Sequence, residues 1–302
     1  MSIFHSDIWK IGIIEAPLTE ILAAGSLSPF SVHWLPEAGP FRFLADPFGF
    51  WRNGTLYCFA EYYDYRTRKG NIKAFVLDDQ FRVLEQRTVL SEPWHLSYPQ
   101  IIEDNGTIYM LPESYKSGKL TLYRARNFPW EWEKVPEFTF PHAAIDATPL
   151  KIGGKWWMFY APPSPASART GALMVAHSDT LFGPWHDLTP HSLHTGKGNS
   201  RMGGTAFCLK DQLFLPTQNC LKTYGGSIEF IHTTLPLHTE SRFISDVSIV
   251  PLNSFHPFTA GVHTLSAAGN VTFLDAKYIS RNFLYRSLID LKRRIFGKAQ
   301  KK

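Results

Sequence analysis

The sequence predicts an all-β fold, a five-bladed β-propeller. Three observations carry that expectation: one motif recurs five times at a spacing of about 50 to 60 residues, three of its copies hold Asn-Gly or Gly-Gly turns, and aromatic residues reach 15% of a 302-residue chain. The first copy is ADPFGFWRNGTLYCFAEY, from Ala45, and the second is SYPQIIEDNGTIYMLPES, from Ser97. Each has a half-apolar run, an Asn-Gly pair, a second alternating run and a Glu. Asn-Gly between two such runs is a strong hairpin signal, because a type I′ turn needs positive φ twice. The third copy, DATPLKIGGKWWMFYAP, has Gly153-Gly154 at the turn. The fourth, RMGGTAFCLKDQLFLPTQN, is less regular, and GVHTLSAAGNVTFLDAKY is the fifth.

Outer strands follow each of the first four copies. They are GNIKAFVLD and RVLEQRTVL, GKLTLYRAR and WEWEKVPEF, TGALMVAHSD and GPWHDLTPH, and GGSIEFIHTTL and RFISDVSIV. The fifth copy has only two strands. Two unassigned runs near the N-terminus, WKIGIIEA and FSVHWLPEA, complete it and remove an open sheet edge. PLTEILAAG between them predicts a short helix ended by Gly25. Residues 1–280 thus read as one propeller and 281–302 as a tail.

The repeat aims a set of polar residues at one rim of the channel. In each blade the first strand starts where the second ends. This puts Asp46 with Glu61, Tyr98 with Glu113, Asp146 and Thr148 with Tyr160, Arg201 with Gln218, and His263 with Asp275. Glycosidic-bond chemistry needs such a cluster: one carboxyl protonates the leaving oxygen and a second acts as base or nucleophile. Crowded carboxylates also push their pKa values apart. Asp46 is the candidate base or nucleophile; Glu113 and Asp146 both remain candidates for the acid. Glu61, His95, Tyr98, Arg201, Gln218 and His263 are candidate substrate-binding or supporting groups.

Other chemistries lack their signatures. There is no Walker loop or GxSxG elbow. Cys58, Cys208 and Cys220 show no CxxC spacing, and His177, His186, His191 and His194 lack metal-ligand spacing. No metal site and no cofactor are therefore expected. The N-terminal stretch has no signal-peptide pattern and no run is long enough to span a membrane, which predicts a cytoplasmic protein.

The tail carries the chain's charge. Residues 281–302 hold eight basic residues and one acid, a net of +7 against +5 for the whole chain, so residues 1–280 carry −2. Leu284, Leu288, Leu291 and Ile295 form one helical stripe there. A basic amphipathic helix predicts an anionic membrane surface as partner; the same pattern suits a helix docked on the propeller. The body has no basic stripe, so nucleic acid is not an expected partner.

The stretches LADPFGFW, PWHLSYPQIIEDNGTIYMLPES, LYRARNFPWEW and IDATPL resemble a known propeller domain. It is found at the N-terminus of plant glucosamine inositolphosphorylceramide transferases and as stand-alone bacterial proteins. It is similar to the five-bladed propellers of glycoside hydrolase families 43, 32 and 68. The resemblance runs to about Tyr278 and implies a sugar-directed pocket with Asp46 as base or nucleophile. Tyr98, Asp146 and Arg201–Gly204 depart from the hydrolase pattern. Residues and resemblance together favour a glycosyltransferase or transglycosylase of surface-polysaccharide or glycolipid assembly, using a carbohydrate or activated sugar. A glycoside hydrolase and a non-catalytic glycan-binding module are the alternatives.

Overall fold

A computed structural model describes residues 6–280. The basic helix expected in the tail lies outside the described residues.

Five antiparallel sheets follow one another along the chain, each a propeller blade. Blade 1 comprises Arg42–Arg52, Thr55–Asp64, Lys69–Leu77 and Val83–Leu90. Blade 2 comprises Ser97–Asp104, Thr107–Glu113, Tyr123–Asn127 and Glu131–Lys134. Blade 3 has two long inner strands, Ile145–Ile152 and Lys155–Ala161, then Ala172–Ser178 and the short His186–Asp187. Blade 4 has a broken inner strand, Arg201–Met202 and Phe207–Leu209, followed by Gln212–Asn219, Ser227–Thr234 and Ile244–Ile249. Blade 5 joins both ends of the described chain: Gly261–Ala268 and Val271–Ser280 pair with Ser6–Ile14 and Val32–Trp34. The pairing Ser6↔Ser280 to Ile14↔Thr272 fastens the ring. The expected helix spans Leu18–Ala24 and ends at Gly25, whose φ of 61° closes it left-handed.

The apolar face of each strand goes into a seam between neighbouring sheets. Ile102, Tyr109 and Leu111 of blade 2 pack with Trp156, Met158 and Tyr160 of blade 3. Phe59 and Ala74 of blade 1 pack with Met110 and Tyr123 of blade 2. The closing strand supplies Ile11 and Ile13 to the seam with blade 1, against Leu56, Cys58 and Phe75. Each fully buried aliphatic side chain contributes about 1.5–3 kcal/mol, so this seam makes closure favourable beyond its hydrogen bonds.

The inner strands share one irregularity. Pairing skips two residues after Ala45, Ser97, Ile145 and Val262. Asp46, Tyr98 and Asp146 occupy the skipped position with φ of 50°, 48° and 49°. A left-handed residue costs about 1–2 kcal/mol unless it is glycine, and such bulges re-aim side chains. In four of the five blades the sequence repeat is therefore a repeat of bulges that re-aim the residues at the start of the inner strand.

Blade 4 uses glycines at this level. A Cβ on Gly204 would lie 1.7 Å from the Leu265 carbonyl oxygen. The two inner strands touch there, with Leu265 N–H donating to Gly203 and Thr205 N–H to Leu265. The Tyr98 hydroxyl crosses from blade 2 to this contact. It accepts from Gly204 N–H at 2.8 Å, donates to the Gly204 carbonyl at 2.9 Å, and lies 3.0 Å from Thr148 Oγ1. Tyr98→Phe is expected to cost about 1–3 kcal/mol in urea unfolding, because buried Gly204 groups lose their partner; a cost near zero would contradict this role.

Candidate functional site

The bulges at Asp46, Asp146 and His263, with the strand-pair ends that carry Glu61, Glu113 and Arg201, gather these six residues at one end of the channel. Asp46, Glu61, Glu113, Asp146 and His263 are all at most 5% exposed, so their charges are screened by neighbours rather than by water. Two hydrogen-bonded subsystems hold four of them, Asp46 with His263 and Asp146 with Arg201.

The first lies between blades 5 and 1. Asp275 lies in the middle of the second strand of blade 5. Its Oδ1 accepts from His263 N–H at 3.1 Å and Thr264 N–H at 3.0 Å, and its Oδ2 from Asp46 N–H at 2.9 Å. Oδ1 also lies 2.7 Å from His263 Nδ1. The other ring nitrogen, Nε2, faces Asp46 Oδ1 at 3.4 Å, and Thr264 Oγ1 donates to that same oxygen at 2.9 Å. Trp9 of the closing strand stacks on the His263 ring, with centroids 3.8 Å apart. Burial disfavours the His263 imidazolium, but Asp275 and Asp46 at its two nitrogens outweigh this and raise its pKa. Burial pushes Asp46 up to about 6, against the opposing pull of His263.

The second subsystem spans blades 3 and 4. Arg201 meets Asp146 with two nitrogens, Nε to Oδ2 at 2.6 Å and Nη2 to Oδ1 at 3.3 Å. Gln218 donates to Asp146 at 3.0 Å and to the Met202 carbonyl at 2.8 Å. The Arg201 guanidinium also sits 5.2 Å from the centre of the Tyr224 ring. Burial works against its charge, yet Asp146 holds its pKa well above the usual value. Asp146 is thus bound by the protein itself.

Glu113 stands between these subsystems and is only lightly held. It accepts from Tyr115 N–H at 2.7 Å and from Ser97 Oγ at 3.2 Å. Burial, then the Asp146 carboxylate, pushes it up to about 7. Burial also raises Glu61 well above the carboxylate range, helped by Asp46 and Glu113. His95 Nδ1 accepts from Gly70 N–H at 2.9 Å, which leaves Nε2 as the protonated nitrogen, 3.5 Å from Glu61 Oε1. Burial lowers His95 to about 4, aided by Lys116 and Arg201.

Position and exposure separate the candidates. Asp46, Glu61, Glu113, Asp146, Arg201, Gln218 and His263 fall into one electrostatically connected group. Tyr98 is fully buried and its hydroxyl is spent on Gly204 and Thr148, which makes it a plug beneath the group. Sequence reasoning paired Asp275 with His263 but did not give it a role, and it missed Thr264, Trp9 and Tyr224. Trp9 enters because the N-terminal strand closes the ring; the sequence placed that strand in the last blade but gave Trp9 no role. Among the described residues, Asp46, His263 and Asp275 also hold ligand atoms within 4.8 Å of one another, a spacing a cation could use. A proton shared through the imidazole satisfies the same three groups.

The family model described as "Glucosamine inositolphosphorylceramide transferase 1, N-terminal" matches residues 32–250. Glucosamine inositolphosphorylceramide transferase 1 of Arabidopsis thaliana is 35% identical over 193 residues, which are 63% of this chain and 25% of that protein. The chain spans about a quarter of the length of the curated relatives it matches. Among solved structures, the catalytic domain of the Coprinopsis cinerea GH62 α-L-arabinofuranosidase superposes with a TM-score of 0.58 at 9% identity, over 80% of this chain and 93% of that one. Zg3597, a family 117 glycoside hydrolase of Zobellia galactanivorans, gives 0.54 at 13%, over 80% and 88%. At these identities the superpositions speak for the fold alone.

Proposed function

Because the chain belongs to the family of the N-terminal domain of glucosamine inositolphosphorylceramide transferase 1, a carbohydrate-active propeller, we propose that it transfers a glycosyl group in glycolipid or surface-polysaccharide assembly. The observation that carries this reading is the split among the buried acids. Asp146 is neutralised by Arg201, whereas Asp46 and Glu113 carry raised proton affinities, about 6 and about 7. Those values lie at or just below neutral pH and suit proton transfer in both directions.

Glu113 is the acid in this reading: it gives its proton to the leaving glycosidic oxygen. Asp46 acts on the other side of the transferred sugar, as base toward the acceptor hydroxyl or as nucleophile at the anomeric carbon. His263, held by Asp275, fixes the orientation of Asp46 and stabilises its anionic form. Arg201 and Gln218 hold Asp146 as the fixed charge beside Glu113. Half-buried Tyr224 and Tyr63 give a sugar ring aromatic surface to lie against. A hydroxyl acceptor in place of water makes the reaction a transfer; the hydrolase reading differs only in that acceptor.

The test is turnover of nucleotide-sugar donors with glycolipid acceptors, for the wild type, Asp46→Asn and Glu113→Gln. Both variants are expected to lose about 100-fold or more in rate while still binding donor. Free sugar released from aryl glycosides, and lost in Asp46→Asn, would overturn transfer in favour of hydrolysis. Glycan binding without turnover, surviving Asp46→Asn, would make the chain a binding module. The membrane role proposed for residues 281–302 is tested by flotation with anionic liposomes. Removal of the tail is expected to abolish co-flotation, and equal flotation with and without it would end the idea. Among the described residues, no helix is long and apolar enough to cross a membrane.

A further inference from the structure

The pocket wall between Arg201 and His263 is made by Tyr224, which belongs to neither inner strand. Tyr224 lies edge-on to His263, with centroids 5.5 Å apart, and edge-on to Trp9 at 6.4 Å. Its ring also takes the Arg201 guanidinium. It is carried on the turn between the second and third strands of blade 4, so something must fix that turn.

Lys277 does so from blade 5. Its side chain is fully buried, unusual for a lysine without a dedicated set of partners. Nζ donates to the Tyr224 carbonyl and to Thr223 Oγ1, the latter at 3.0 Å, and meets Asp7 Oδ2 at 3.4 Å. It also lies 5.2 Å from the centre of the Trp9 ring. The backbone contact agrees independently. A Cβ on Gly261 would fall 2.1 Å from the Gly225 carbonyl oxygen, and one on Gly225 would fall 2.5 Å from His263 Cβ. The turn is therefore pressed onto blade 5 at two glycines and held there by one ammonium.

We propose that Lys277 is a positioning residue of this pocket: by binding the Thr223–Tyr224 turn and Asp7 of the closing strand together, it seats Tyr224 against Arg201 and His263 only when the ring is closed. The inference rests on reading this pocket as the working site, and it adds a consequence. Asp7 and Trp9 both come from the strand that fastens the propeller, so ring closure and completion of the pocket are one event.

The experiment reads Tyr224 through its neighbour. The Arg201 guanidinium carbon lies 5.2 Å from the centre of the Tyr224 ring, so its Nε–H is expected to carry a ring-current shift, observable by 15N NMR of the full chain. Tyr224→Leu defines the position without the ring. Lys277→Met combined with Asp7→Asn removes the ammonium without leaving a carboxylate unpaired. The Arg201 signal is expected to move most of the way to the Tyr224→Leu position. A folded double variant with the Arg201 signal unmoved would overturn the proposal. Lys277→Leu, which removes every donor in a single change, is the second variant if the double variant does not fold; an unmoved signal there has the same meaning. No sugar enters this measurement. If the carbohydrate reading fails, donor binding and turnover fail in the wild type, and the Arg201 shift still decides the role of Lys277.

Discussion

Arg201→Met is expected to destabilise the protein by about 3–5 kcal/mol, because it strands a buried carboxylate. Asp146 is 1% exposed and takes two guanidinium contacts, at 2.6 and 3.3 Å. Gln218 supplies one further N–H but no charge. Combining Arg201→Met with Asp146→Asn should recover much of the loss, since no bare charge is then left behind. Urea unfolding of the two single variants and the double closes the cycle. An exposed pair would cost about 0–1 kcal/mol, so a loss below 1 kcal/mol for Arg201→Met would mean that Asp146 is not dependent on it. Asp146 could then serve as the proton donor in place of Glu113.

Stability should fall as pH rises from about 5 to about 7.5. A group whose folded pKa is raised binds its proton more tightly in the native state, so its stabilisation is present at low pH and lost as pH rises through the folded value. Glu113 moves from 4.5 to about 7 and Asp46 from 3.8 to about 6. Glu61 and His263 are raised as well and act in the same direction. His95 opposes them. Its folded pKa of about 4 lies below its ordinary 6.5, so its neutral form costs stability as pH falls. One histidine against three carboxylates and a second histidine leaves a net proton uptake on folding. Glu113→Gln is expected to flatten the slope and to raise stability at pH 7.5 by roughly 2–3 kcal/mol, at about 1.4 kcal/mol per pKa unit. Denaturation midpoints at pH 5.5, 6.5 and 7.5 measure it, and a wild type more stable at pH 7.5 than at 5.5 would contradict the assignment. This cost at neutral pH is what a site holds in reserve when it keeps acids ready to exchange protons.

Much of the fold was legible because each blade repeats the same local physics. Asn53-Gly54 and Asn105-Gly106 form the turns their composition predicts, with positive φ at all four residues. The alternation in TLYCFAEYYD and TIYMLPE became strands with their apolar faces in seams. The short outer strands were less legible. GPWHDLTPH pairs only over His186–Asp187, because an edge strand contributes little burial to fix its length.

The sequence alone determined that one residue per blade start would face a common channel, since the copies align at Asp46, Tyr98, Asp146, Arg201 and His263. The tertiary structure decided what each could do there. Tyr98 and Asp146 share a bulge and a φ, yet one hydroxyl plugs the channel while the other side chain is neutralised by Arg201. The reason is that proton affinity and partner choice depend on groups distant in the chain. Asp275 reaches Asp46 across 229 residues, and Lys277 reaches Asp7 across 270. Spacing along a sequence carries the period of a blade; only closure of the ring brings its two ends to the same pocket.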